Sequence, residues 1–151
     1  MRLPNTPSPL LRPAAALALV VEIGIHVDLA PDHLREVPYI GASFVVGSVL
    51  LATVLIGLAI APRSAAVWLA GALVCTGMAV GFVASRTVGL PGLHEAWTSD
   101  GGLGLFALLF EAIFVAITAR VLTAGHGIRS FLPRPRIVVA SKGAVQPGPA
   151  R

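Results

Sequence analysis

The sequence predicts an all-α integral membrane protein, folded as a bundle of four transmembrane helices. Three observations carry this expectation. Hydrophobic residues make up 56% of the 151-residue chain and charged residues only 12%, where a soluble domain carries about 25% charge. The apolar residues gather into four runs, each long enough to cross the ~30 Å hydrocarbon core of a bilayer. The basic residues flank these runs, so the pI near 10.6 reflects membrane topology and not a nucleic-acid surface. The expected partner is the lipid bilayer, with a membrane protein or further copies of this chain beside it, and no nucleic acid.

Residues 1–12 (MRLPNTPSPLLR) are basic and rich in proline, without an apolar period, and read as a disordered arm. The first span covers about 13–30. Arg2 and Arg12 precede it as in a secretory signal, but Glu22 and His26 interrupt it and no A-x-A site follows. It reads as a retained span, with a cleaved signal peptide as the alternative. The second span, 39–61, holds no charge, and its length of ~34 Å at ~1.5 Å per residue permits some tilt. Pro62, Arg63 and Ser64 make a tight turn into the third span, 65–85. Arg86 ends that span, and the loop RTVGLPGLHEAWTSDGG leads to the fourth, 103–122. The basic, Gly/Pro-rich tail, 123–151, is expected to be mobile.

Nine of the eleven Lys and Arg residues lie on the side that holds both termini, leaving only Arg35 and Arg86 opposite. Basic residues favour the cytoplasmic side. Both termini are therefore expected in the cytoplasm of a plasma membrane of bacterial type. Tyr39 and Trp97 then fall at the outer interfacial belt, and Trp68 near the inner one.

Helices in lipid pack through small residues and polar groups. In the fourth span Gly104, Ala107, Glu111, Val115 and Thr118 share a face, so Glu111 should point into the bundle. Phe106, Phe110 and Phe114 fall on a displaced stripe and should face lipid or a neighbour. In the first span Ala15, Ala18, Glu22 and His26 share a face. Gly77, Gly81 and Ser85 form a small-residue stripe, suited to packing within the chain or, alternatively, to a dimer contact.

The chemistry concentrates between Glu22 and Glu36, EIGIHVDLAPDHLRE, which holds two of the four histidines and four of the seven acidic residues. An ionisable group within a span costs ~2.5 kcal/mol or more and usually faces protein or water. Glu22 and Glu111 lie at similar depth on small-residue faces, so they could meet and share a proton. The plainer alternative is a neutral Glu bonded to backbone or to Ser43, Ser48 or Thr76. Imidazole and carboxylate together suit zinc, copper, nickel or iron. Glu22, His26, His33 and Glu36 are the candidate metal ligands, with Glu111 or His94 as additions. Arg86 could pair with Glu22, Glu111 or Glu36 in an intramembrane network, or simply contact lipid phosphate. Haem would require a second histidine opposite His26, and none lies within a span. There is no nucleophile elbow, and Cys75 has no neighbour that would stabilise a thiolate, so catalysis by this chain alone is not expected.

Two stretches, HVDLAPDHLREVPYIGASF (26–44) and SRTVGLP (85–91), resemble a group of small bacterial four-span proteins of unassigned activity. Their shared features are a histidine ending the first span, H-L-x-E before the second, S-R-T-x-G-L-P after the third and a carboxylate in the fourth. His26, His33, Glu36, Arg86 and Glu111 match these features across about 15–122. The chain departs from the group at Gly104, where an Asp often stands. The resemblance implies the four-span architecture and names no activity. The functional expectation is a non-enzymatic membrane protein with a polar outer pocket, a candidate site for a divalent transition metal, that acts as an accessory or sensor subunit. The alternative is a proton- or cation-transport subunit working as an oligomer.

Overall fold

The computed structural model describes Leu3 and residues 8–124; the basic tail and most of the N-terminal arm lie outside the described residues. Four helices follow in order: α1 (Leu11–Glu36), α2 (Pro38–Ile60), α3 (Ala65–Thr87) and α4 (Leu103–Ala124). All four are long and apolar enough to cross a membrane. They form a ring in which each helix packs on two others. The α1–α2 contact is the closest and α2–α3 the loosest, while the diagonal pairs make no close backbone approach.

Helix α1 runs straight through Pro31 to Glu36, beyond the expected end near Ala30. Pro31 lacks the N–H that would reach the Val27 carbonyl, but Val27 is exposed, so the missing bond falls on an outer face. The break comes instead at Val37, which is held extended (φ −138°, ψ 83°) by the Pro38 ring that follows it. Pro38 then opens α2, where its missing donor costs nothing. This one-residue corner folds α2 back against α1, and Gly41 permits it. A side-chain carbon at Gly41 would collide with the backbone of Leu34.

At the opposite end, Leu3 donates its N–H to the Arg63 carbonyl, 2.8 Å, and Arg12 reaches the Leu58 carbonyl, 3.3 Å. The core there is built on Trp68, Leu51, Leu19 and Phe114. Phe114 is fully buried and stacks on Trp68, with ring centroids 6.0 Å apart. Of the two surroundings expected for the α4 phenylalanines, lipid or a neighbour, Phe114 meets a neighbour inside the bundle, Trp68 of α3. Phe106 is exposed, but Phe114 turns inward because Gly71 leaves room for its ring on α3. Trp68 is likewise fully buried, and its indole N–H is held by the Pro62 carbonyl, 2.9 Å. Tyr39 and Trp97 are exposed at the other end.

Of the two uses expected for the small-residue stripe of α3, packing within the chain is not what Gly77 and Gly81 provide. Only Ser85 is buried; nothing lies within 4 Å of where a side-chain carbon at Gly77 or Gly81 would stand. The expected outcomes are opposite at two glycines. Gly41→Ala should destabilise the protein by about 2 kcal/mol or more, as overpacking does. Gly77→Ala should be neutral or gain up to ~1 kcal/mol of helix propensity. Thermal unfolding in detergent checks both.

Candidate metal centre

Because α1 continues past Pro31, Glu22, His26 and His33 lie along one helical face, and all three are buried. Each histidine folds back onto its own helix. His26 Nδ1 donates to the Glu22 carbonyl and His33 Nδ1 to the Leu29 carbonyl, each at 2.9 Å. A carbonyl can only accept, so each of these bonds places a proton on Nδ1. Phe44 of α2 wedges between the two rings, edge-on to His26 at 5.1 Å and to His33 at 4.8 Å. The histidines therefore belong to separate polar tiers.

The inner tier joins α1 to α4. Glu22, His26 and Glu111 are each buried and offer ligand atoms that lie within 4.8 Å of one another. Ala15, Ala18, Gly104 and Ala107 are buried on the same two faces. Among the described residues, both carboxylate oxygens of Glu22, and Oε2 of Glu111, are buried without a hydrogen-bond partner; His26 Nδ1 stands 3.5 Å from Glu22 Oε2. Two of the hydroxyls considered as partners donate elsewhere: Ser43 to the Ile40 carbonyl and Ser48 to the Phe44 carbonyl, each within α2. Imidazole with two carboxylates is a set that zinc, iron, copper and nickel accept. Ligand atoms about an ion at ~2.1 Å stand ~3.4 Å apart in a tetrahedron, so the set must draw in by roughly an ångström to hold one.

The outer tier is an ion-pair clasp. Arg86 Nη1 lies 2.8 Å from Glu95 Oε2, and Arg86 Nη2 lies 3.0 Å from Asp100 Oδ2. The guanidinium stacks 3.9 Å over the Phe82 ring and donates to Ser85 Oγ, 2.6 Å. His33 Nε2 faces Glu95 Oε1 at 3.6 Å. Asp100 also caps α4, accepting from the N–H groups of Gly102 and Gly104, each at 3.0 Å. The left-handed backbone at Gly101 and Gly102 brings the carboxylate over that helix end. The loop between α3 and α4 is pinned down as well. Leu90 and Leu93 close a Pro91–Gly92 turn, with Gly92 at φ 74°. Tyr39 donates its hydroxyl to the Pro91 carbonyl, 2.7 Å.

Of the residues singled out from sequence, Glu22, His26 and Glu111 come together. Arg86 pairs with Glu95 and Asp100, away from Glu22 and Glu111. His33 joins that outer clasp. Glu36 is exposed and belongs to neither tier, and His94 is exposed in the loop. The sequence reading missed the pairing of Asp100 and Glu95 with Arg86. T-S-D-G-G ahead of an apolar run is a helix-start signal that marks Asp100; nothing comparable marks Phe44 or Glu95.

Comparison with protein-family models, curated proteins and solved structures gives no match.

Removing one partner of a buried ion pair costs about 3–5 kcal/mol, whereas an exposed pair contributes little. Asp100→Ala, which also removes the α4 cap, should lower the unfolding temperature sharply. Arg35→Ala, which breaks the exposed Asp32–Arg35 pair, should leave it unchanged. Parallel melts in detergent read the difference.

Proposed function

We propose that this chain is a non-enzymatic, multi-pass protein of the cell membrane that binds one divalent transition-metal ion through Glu22, His26 and Glu111, and that it acts as an accessory or sensor subunit. One observation carries the reading: the Glu22 carboxylate is fully buried and, among the described residues, neither oxygen accepts a hydrogen bond, although His26 Nδ1 stands 3.5 Å from Oε2. A buried carboxylate needs a donor, a proton or a cation. Two carboxylates and a divalent ion sum to zero net charge, which is the tolerable state in a low-dielectric surround. His26 Nδ1 bonds to the Glu22 carbonyl, which fixes the ring, and lies 3.5 Å from Glu22 Oε2, so the imidazole is held against the carboxylate it would share an ion with. The bias of basic residues supports cytoplasmic termini, which would place the clasp on the outer side.

A second reading, a proton- or cation-transport subunit working as an oligomer, draws on a different feature. Glu111 also lines a cleft of about 520 Å³ between α3 and α4, and Thr118, two turns along the same helix, buries a hydroxyl without a partner. A neighbouring copy seated at that cleft could extend the polar path. Ion flux in liposomes that is lost on Glu111→Gln would favour this reading.

The metal reading predicts one ion per chain by elemental analysis after incubation with zinc or cobalt(II). Affinity should fall at least about tenfold, or ~1.4 kcal/mol, in His26→Ala and in Glu111→Gln. It should be kept in His33→Ala and Glu36→Ala. A protein that takes up no zinc, copper or iron, or one equally impaired by His33→Ala, would sink it.

A further inference from the structure

The loose seam between α2 and α3 holds a lateral cavity of about 460 Å³, within the range of ~300–1,000 Å³ usual for small-molecule sites. Its stem is apolar, walled by Val46, Leu50, Leu73 and Met78 and floored by Gly77 and Gly81. Val46 and Leu73 are exposed, Leu73 by 75%, so the stem opens sideways, where a bilayer would supply hydrocarbon. Gly77 and Gly81 touch no neighbouring side chain; their smallness keeps the stem open.

The other end of the cavity runs beneath Leu90 and Leu93 and stops at Arg86, Glu95 and Asp100. Two buried atoms there lack a hydrogen bond: Arg86 Nε, a donor, and Glu95 Oε2, whose close approach to Nη1 is an ion pair without hydrogen-bond geometry. The Arg86 side chain is only 6% exposed, so bulk water does not serve it. A group that fits this end must accept from Nε and donate to Oε2. A hydroxyl does both. A carboxylate would meet Glu95 with like charge, and an ammonium would offer nothing to Nε. A carboxylate head would also add a third negative charge to a buried end that already sets two carboxylates against one guanidinium.

We propose that this cavity binds one single-chain membrane amphiphile. Its hydrocarbon chain lies between α2 and α3, and its small, uncharged, hydroxyl-bearing head bonds to Arg86 and Glu95. The site is separate from the inner His/Glu cluster and does not depend on metal.

Monoolein is the probe, with oleate and oleylamine as charged counterparts of the same chain length. Each is titrated into the purified full-length protein, and bound molecules are counted by native mass spectrometry. One monoolein per chain is expected, with binding of the two charged amphiphiles weaker by about tenfold or more. Gly77→Leu/Gly81→Leu fills the stem from positions where a side chain meets open space. It should weaken monoolein at least about tenfold with an unchanged helical circular-dichroism spectrum. If the double variant does not fold, Gly77→Leu alone is read the same way. Absence of a stoichiometric complex, equal binding of all three amphiphiles, or undiminished binding to the filled variant would overturn the proposal.

Discussion

Two carboxylates buried between hydrophobic helices must be satisfied by what the bundle itself provides. Glu22 and Glu111 come from opposite ends of the chain, and the groove between α1 and α4 is the place where they meet. Small residues on both helices line this groove, so the backbones approach without large side chains intervening. His26 lies one turn beyond Glu22 and completes the cluster. Moving one of these groups by a residue would strand a carboxylate against lipid or core hydrocarbon, at a cost that small-residue packing does not offset. The register of α1 on α4 follows from this constraint.

The second tier does different work. Arg86, Glu95 and Asp100 tie α3, the following loop and the start of α4 into one clasp, and His33 brings α1 to it. Phe44 separates the clasp from the inner cluster and contacts both histidine rings. Arg86 therefore engages both outer carboxylates near the helix ends, and the inner carboxylates are left to their own partners. This division is the structural basis for proposing a cation at the inner cluster and an amphiphile head at the outer one.

Much of this was legible in the sequence, and the exceptions have physical reasons. The four apolar runs give the four helices because hydrocarbon solvent enforces them. The inward faces of α1 and α4 follow from helical spacing, and they placed Glu22 near Glu111. The first span was expected to end near residue 30, yet α1 continues through Pro31, because a missing donor on an exposed face is tolerated. The continuation moved His33 onto the face of Glu22 and His26 and into the clasp. The Arg86 partners were misplaced because they sit on a loop whose turns, set by Gly92 and Gly101–Gly102, no apolar period encodes. Phe114 points inward because Gly71 on another helix makes room, a tertiary fact invisible from α4 alone. The cavity between α2 and α3 was hidden for the converse reason: a glycine stripe in sequence looks the same whether it is packed or left open.

X-ray absorption at the metal edge of the cobalt(II)- or zinc-loaded protein reads the inner cluster directly. An ion held by Glu22, His26 and Glu111 gives a first shell of nitrogen and oxygen only, with scattering from a single imidazole, altered in Glu111→Gln. A shell with two imidazoles would place His33 beside His26 and contradict the separation at Phe44. A shell of water oxygens alone would remove the metal from the inner cluster and leave Glu22 and Glu111 as a proton-sharing pair that locks α1 to α4.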